Sequence, residues 1–199
     1  MTFVHLLRAD LDRAAATLAS GFGGDPFFAW IYPDASQRPA QLTDWMRLTA
    51  DQYLDKGHAY TTDAGHAVAL WTAPDGRRTA EDDRAVRHLL GEHIGPAGLD
   101  RVLPVFASIG RHHPHEPHYY LSTVATHAAH QGRGLAAGLL RPVLDRCDDM
   151  GLPAYLESSN PRNLPFYERL GFVARGRVDV PDADEVWLTP MWREPREPS

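Results

Sequence analysis

The run His130-Gln131-Gly132-Arg133-Gly134-Leu135-Ala136-Ala137-Gly138-Leu139-Leu140 constrains this chain more than any other stretch. Ahead of it, Tyr119-Tyr120-Leu121-Ser122-Thr123-Val124-Ala125-Thr126 has the aromatic and β-branched composition of a strand, and behind it the apolar spacing is helical. Strand, glycine turn and helix follow one another directly. Gly132 and Gly134 allow positive φ or the close approach of a ligand, and the N–H groups that open a helix lack intrahelical acceptors. Such a unit suits an anion, a pyrophosphate in particular. It is not a P-loop, because no Gly-Lys-Ser/Thr follows, and its spacing departs from the dinucleotide fingerprint. A tight turn without a ligand is the other reading of two glycines before a helix. Arg133 between them sets a cation beside the amides and favours phosphate.

At 199 residues, without a Gly/Ser or Pro-rich linker or an internal repeat, the chain reads as one domain. A hydrophobic fraction of 43% is that of a folded protein. The net charge of −6 and the scattered basic residues leave no nucleic-acid footprint, and a mildly acidic surface attracts cationic amines. The single cysteine, Cys147, excludes an internal disulfide framework and lies in the helical pattern after the glycine turn, as a small buried residue does. No stretch reads as a signal peptide or a bilayer span, so a cytoplasmic protein without a membrane partner is expected.

The periodicities predict a mixed α/β alternation. Residues 3–8 read as a strand, and Asp10 and Asp12 cap a helix through 14–19 that ends near Gly21–Gly24. The aromatic run Asp25–Pro33 either caps the core or lines a substrate pocket. An amphipathic helix is expected over Gln37–Lys56, closed by Gly57, and a hairpin over 58–71 turning at Asp63-Ala64-Gly65. Helical patterns follow at 81–93 and 98–109, interrupted by Gly95-Pro96. After the helix that runs to Asp149, a strand is expected at 154–157, a loop and short helix at 158–170, and two strands at 172–180 and 186–192. His112, His113, His115, Glu116 and His118 are metal-ligand types, but two prolines and the irregular spacing weaken a metal site, and none is assigned.

Gln131-Gly132-Arg133-Gly134-Leu135-Ala136 resembles the acyl-CoA signature Gln/Arg-x-x-Gly-x-Gly/Ala of the GCN5-related N-acetyltransferase (GNAT) superfamily. That superfamily places the signature after its central strand and follows it with a strand, an Asn-bearing loop and a Tyr-bearing helix. Here these are Tyr119–Thr126, Ala154–Ser158, Asn163 and Tyr167. The run Asn160–Phe172 looks like the matching segment of the puromycin N-acetyltransferases within it, and His115-Glu116-Pro117 and Ala67–Pro74 are similar to them as well. The likeness is much weaker over Asp10–Lys56, the region that shapes the acceptor pocket in this superfamily.

The resemblance implies one α/β domain over residues 1–193, with 194–199 as a frayed tail. The implied sheet is mixed, mostly antiparallel and of about seven strands, flanked by helices, with a splayed central parallel pair. It implies acetyl-CoA as donor. Backbone groups of Val124 and Thr126 would meet the pantetheine arm, the amides of Gln131, Gly132, Arg133, Gly134, Leu135, Ala136 and Ala137 with the Arg133 side chain would hold the pyrophosphate, and Asn163 would bond the cofactor from the other side. Tyr167 is implied near the sulfur, where a phenol protonates the leaving thiolate. Glu116, His115, His118 or a water is expected to accept the amine proton.

The expected acceptor is a small-molecule amine such as a puromycin-like aminonucleoside antibiotic, acetylated for resistance or detoxification. An α-amine titrating at roughly 7.7–8.0 needs only a weak base, which suits a chain without an unmistakable one. A peptide or protein amine and a non-catalytic acyl-CoA sensor are the alternatives, and a monomer or homodimer is expected.

Overall fold

The computed structural model describes residues 3–54, 58–76 and 78–196. In chain order it forms β1 (Phe3–His5), α1 (Leu11–Phe22), α2 (Pro26–Ile31), α3 (Arg38–Leu54), β2 (Ala59–Thr62), β3 (Ala67–Thr72) and α4 (Ala80–His112). There follow β4 (Tyr119–Thr126), α5 (Leu135–Met150), β5 (Ala154–Ser158), α6 (Leu164–Arg169), β6 (Val173–Ala174), β7 (Val178–Asp179) and β8 (Trp187–Arg193). The strands lie in the order β1-β2-β3-β4-β5-β8-β6, with β7 also paired to β8. Every pairing is antiparallel except β4 with β5. The architecture is the expected open mixed sheet with one parallel pair, with eight strands among the described residues.

Both faces of the sheet are covered, which explains why β3 is an unbroken apolar run rather than an alternating one. Val68 and Leu70 of β3 join the core beneath α1 to α4, with Leu18, Ile31, Leu42, Met46 and Leu90. Ala67, Ala69 and Trp71 face the other way, into the core that α5 and α6 close with Leu139, Val143, Cys147 and Tyr167. α4 is held at its start by a reciprocal capping box, Thr79 Oγ1 accepting from the Asp82 N–H and the Asp82 carboxylate accepting from the Thr79 N–H. It kinks at Gly95, where the interruption was expected.

One open reading is decided and two expectations change. The aromatic run after Gly24 forms the short helix α2: Asp25 accepts from the N–H groups of Phe27 and Phe28, and Pro26 occupies the first turn. Phe27, Phe28, Ile31 and Tyr32 are buried, so most of this run is core. The strand expected over 172–180 is split into β6 and β7, because Gly176 between them takes φ 136° and no ladder passes through it. The first strand is shorter than expected, ending at His5 ahead of a 3₁₀ turn at Arg8–Asp10. The end of the helix expected to reach Lys56, with Gly57, lies outside the described residues, as does the tail from 197. Within the described part of the tail, the Arg196 N–H donates to Asp148 and Glu194 accepts from the Trp192 indole.

Candidate active site

β4 and β5 are paired only at Tyr119 with Ala154 and Tyr120 with Tyr155. Beyond these residues each strand stays in its antiparallel ladder on the outer side, β4 with β3 and β5 with β8, while the edges that face each other lose their partner. This is the splay expected of the parallel pair. A register shift between Leu70 and Trp71 leaves Ser122 of β4 as an extra residue, a bulge of the kind that bends a strand and re-aims its groups. Carrying the parallel register forward sets Glu157 of β5 across the split from Ser122.

At the open end of the split, β4 runs into the glycine turn. Gly132 and Gly134 take φ 76° and 74°, the left-handed region that an L side chain disfavours, and nothing lies within 4 Å of a Cβ built on either. No acceptor among the described residues takes the N–H groups of Gly132, Arg133, Gly134, Leu135, Ala136 and Ala137. The first backbone bond of α5 runs from the Gly138 N–H to the Gly134 carbonyl, and no side chain caps the helix. Six successive donors at the positive end of a long helix fit a pyrophosphate. The approach to the turn is pinned: Ser20 Oγ accepts from the Ala128 N–H, the His127 N–H donates to the His66 carbonyl, and Gln131 Nε2 donates to the Thr126 carbonyl at 3.3 Å. The backbone amide of Gln131 is itself committed to the Ala128 carbonyl at 3.4 Å. Leu135 contributes its amide while its side chain is buried under α5. Arg133 is exposed beside these donors.

Tyr167 enters from the α5 side, buried, with its ring edge-on to Phe166 and Phe172 at 5.0 and 6.1 Å. Burial, and then the charge of Asp25, push its phenol well above the ordinary value, so it is held in the protonated form that can donate. Asn163 is exposed at the start of α6 and makes no cap bond, whereas Asn160 is committed to the Arg162 N–H. Val124 and Tyr167 pack in the same core beside the split, Thr126 ends β4 ahead of the turn that carries 131–137, and Asn163 precedes α6 after β5. Glu116 is not among them. It is exposed in the loop before β4, and Tyr119 to Val124 alone spans about 16 Å of extended strand. His115 is exposed in the same loop, and His118 is buried with its Nδ1 2.6 Å from the Glu116 carbonyl oxygen. Burial lowers the His118 pKa. No group of three or more potential metal ligands occurs among the described residues.

Two acidic residues at the split were missed. Asp25 is buried at the start of α2 and accepts a 2.7 Å bond from Ser159 Oγ just after β5, and burial raises its pKa. Glu157 lies on β5 itself, on the face opposite Ala154 and Leu156. A lone acid inside an apolar strand was the available signal for Glu157. For Asp25, read as part of an aromatic run, the sequence shows only a helix cap. Two cavities of about 330 and 200 Å³ lie elsewhere, between α1 and α3 and beside Tyr32, His93 and Arg101, and contain none of these residues.

Residues 42–172 match the model of the Acetyltransferase (GNAT) family. An uncharacterized N-acetyltransferase of Schizosaccharomyces pombe is 27% identical over 201 residues, covering 94% of this chain and 80% of the relative. The L-methionine sulfoximine/L-methionine sulfone acetyltransferase of Salmonella typhimurium is 28% identical over 123 residues, covering 57% of this chain and 70% of that protein. A solved structure from Corynebacterium glutamicum, described as histone acetyltransferase HPA2 and related acetyltransferase, superposes with a TM-score of 0.72 at 28% identity. It covers 100% of this chain and 98% of the other.

Proposed function

Since the chain belongs to the Acetyltransferase (GNAT) family and is an N-acetyltransferase acting on amines, we propose that it moves the acetyl group of acetyl-CoA to the α-amine of a small molecule. The observation that carries the donor assignment is the split parallel pair whose β4 edge leads into six unclaimed amides. In this reading those amides and Arg133 bind the pyrophosphate, Val124 and Thr126 offer backbone groups to the pantetheine arm, and Asn163 bonds the donor from the α6 side. A β4 amide near Val124 polarises the thioester carbonyl and stabilises its developing negative charge. Tyr167, kept protonated by burial, delivers its proton to the departing sulfur. Acetyl-CoA supplies the activated acyl group.

Two features support a small α-amine. The Salmonella relative is named for acetylating L-methionine sulfoximine and L-methionine sulfone, and the net charge of −6 attracts cationic acceptors. The likeness of Asn160–Phe172 to the puromycin N-acetyltransferases makes a puromycin-like aminonucleoside the first acceptor to try, with antibiotic resistance as the corresponding role. The description of the Corynebacterium neighbour favours a histone peptide as a second acceptor. Thiol release with acetyl-CoA is measured over puromycin, methionine sulfone and a histone tail peptide, with products identified by mass spectrometry. Tyr167→Phe keeps the ring contacts and is expected to lower turnover about a hundredfold while acetyl-CoA affinity stays within twofold. Unchanged single-turnover rates in this variant remove Tyr167 as the acid. Stoichiometric acetyl-CoA binding with no transfer to any acceptor would make the protein a sensor.

A further inference from the structure

Of the two acids at the split, Asp25 is taken up by the Phe27 and Phe28 N–H groups and Ser159, which leaves Glu157 without a task. The Glu157 side chain is 4% exposed, and its Oε1 is buried with no hydrogen-bond partner among the described residues. A buried carboxylate oxygen without a donor is costly, and such an atom invites a donor that arrives with a ligand. His113, at the end of α4, brings its Nδ1 to 3.5 Å from Oε1 without a hydrogen bond forming, and its side chain is 35% exposed. That ring stands edge-on to Tyr120 at 4.8 Å and Tyr155 at 5.1 Å. Burial, and then the Glu157 charge, raise the phenol pKa of Tyr120 and Tyr155, so these two rings and His113 wall the carboxylate.

The position along the strands is equally specific. Glu157 faces the Ser122 bulge across the split, two strand steps, about 7 Å, from the level of Val124. That interval leaves room for an amine nitrogen between the carboxylate and a thioester carbonyl polarised near Val124. Tyr167 packs with Ala154 and Leu156 on the α5 side of β5, and Glu157 projects from the opposite face. A proton donor and a proton acceptor thus flank the split from its two sides.

We propose that Glu157 receives the acceptor's amine and takes its proton, and that the acceptor enters over the face walled by Tyr120, Tyr155 and His113. This rests on the acetyl-transfer reading above and moves the base from the loop around Glu116 to β5. The neutral amine nitrogen forms a bond to the thioester carbonyl carbon and gives one N–H proton to the Glu157 carboxylate. The carbon–sulfur bond breaks with its electron pair on sulfur, and the Tyr167 hydroxyl protonates that sulfur. Glu157 then loses its proton to water and Tyr167 regains one from water, so the amide and the free thiol are the net products.

The titratable groups facing Glu157 are His113 from α4, His118 from the loop, Tyr120 from β4 and Tyr155 from β5. The test compares the wild type, Glu157→Gln and Glu157→Asp on one acceptor from pH 6 to 9, with acetyl-CoA affinity by calorimetry and thermal melting alongside. Glu157→Gln is expected to bind acetyl-CoA with unchanged Kd and to melt within a few degrees of the wild type. At pH 7 its kcat/KM falls by a hundredfold or more, and its rate climbs about tenfold per pH unit toward the amine's own pKa. Glu157→Asp, which keeps a carboxylate, recovers part of the loss.

Turnover of Glu157→Gln within threefold of the wild type overturns the proposal. So do equal losses in both variants accompanied by equal falls in melting temperature, since Glu157 would then be a packing element. A wild type that neither binds acetyl-CoA nor releases thiol instead overturns the acetyl-transfer reading itself.

Discussion

Replacing Arg193 by methionine removes a guanidinium that ties three elements together. Its Nη1 and Nη2 donate to the two carboxylate oxygens of Asp148 at the end of α5, each at 2.7 Å, and its Nε donates to the Leu170 carbonyl behind α6 at 3.0 Å. The Arg193 side chain is 3% exposed and that of Asp148 19%. Methionine fills the space of the aliphatic stem but leaves Asp148 with the Arg196 N–H and leaves the Leu170 carbonyl without this donor. Breaking a fully buried pair costs about 3–5 kcal/mol, and Asp148 can regain part of its hydration, so about 3 kcal/mol is expected. For a domain of this size that is a fall in Tm of about 6–12 °C, read by calorimetry.

The hydrogen bonds from Arg193 hold the Asp148 carboxyl below the usual carboxylate range. The stabilisation is therefore complete above the unfolded value of about 3.9 and is lost as pH falls through the lower folded value. The gap between wild type and variant is wide at pH 7 and narrows below about pH 4. Adding Asp148→Asn to the methionine variant costs little more, because the carboxylate has already lost its partner. A fall in Tm under 2 °C, or strict additivity of the two changes, refutes this account.

Gly134→Ala meets no steric obstacle, since nothing lies within 4 Å of the new Cβ, so its cost is the left-handed φ of 74°. A strain of about 1–2 kcal/mol on the segment that aims the amides should weaken acetyl-CoA binding about tenfold by calorimetry, and an unchanged Kd refutes the amide cradle. Burial pushes the Cys147 thiol up to about 12. The native protein is expected to leave a disulfide reagent unreacted at pH 8 and to react fully once denatured, and rapid native labelling counts against this packing.

Much of the passage from β4 through the glycine turn into α5 was legible because its geometry is local. The strand Tyr119–Thr126, the two glycines and the helix behind them are consecutive in sequence, and only a glycine-bearing turn joins them without strain. The kink at Gly95 and the hairpin turn at Gly65 were legible for the same reason. The break at Gly176 was not read, because an apolar strand pattern on both sides masked it. Glu116 adjoins the central strand in sequence yet lies in the exposed loop before it, because a strand carries its ends far apart.

The sequence by itself determined the class of the fold and the place where an anionic donor can be held, since helix-opening amides behind a glycine turn arise from backbone geometry within a few residues. The tertiary structure alone decided what surrounds the split. It brought Ser159 to Asp25, 134 residues away in the chain, and set Glu157 opposite the Ser122 bulge, with Tyr167 on the other face of the split. These neighbours depend on the register of a two-residue parallel pairing and on helices packed across the sheet, which no local spacing encodes.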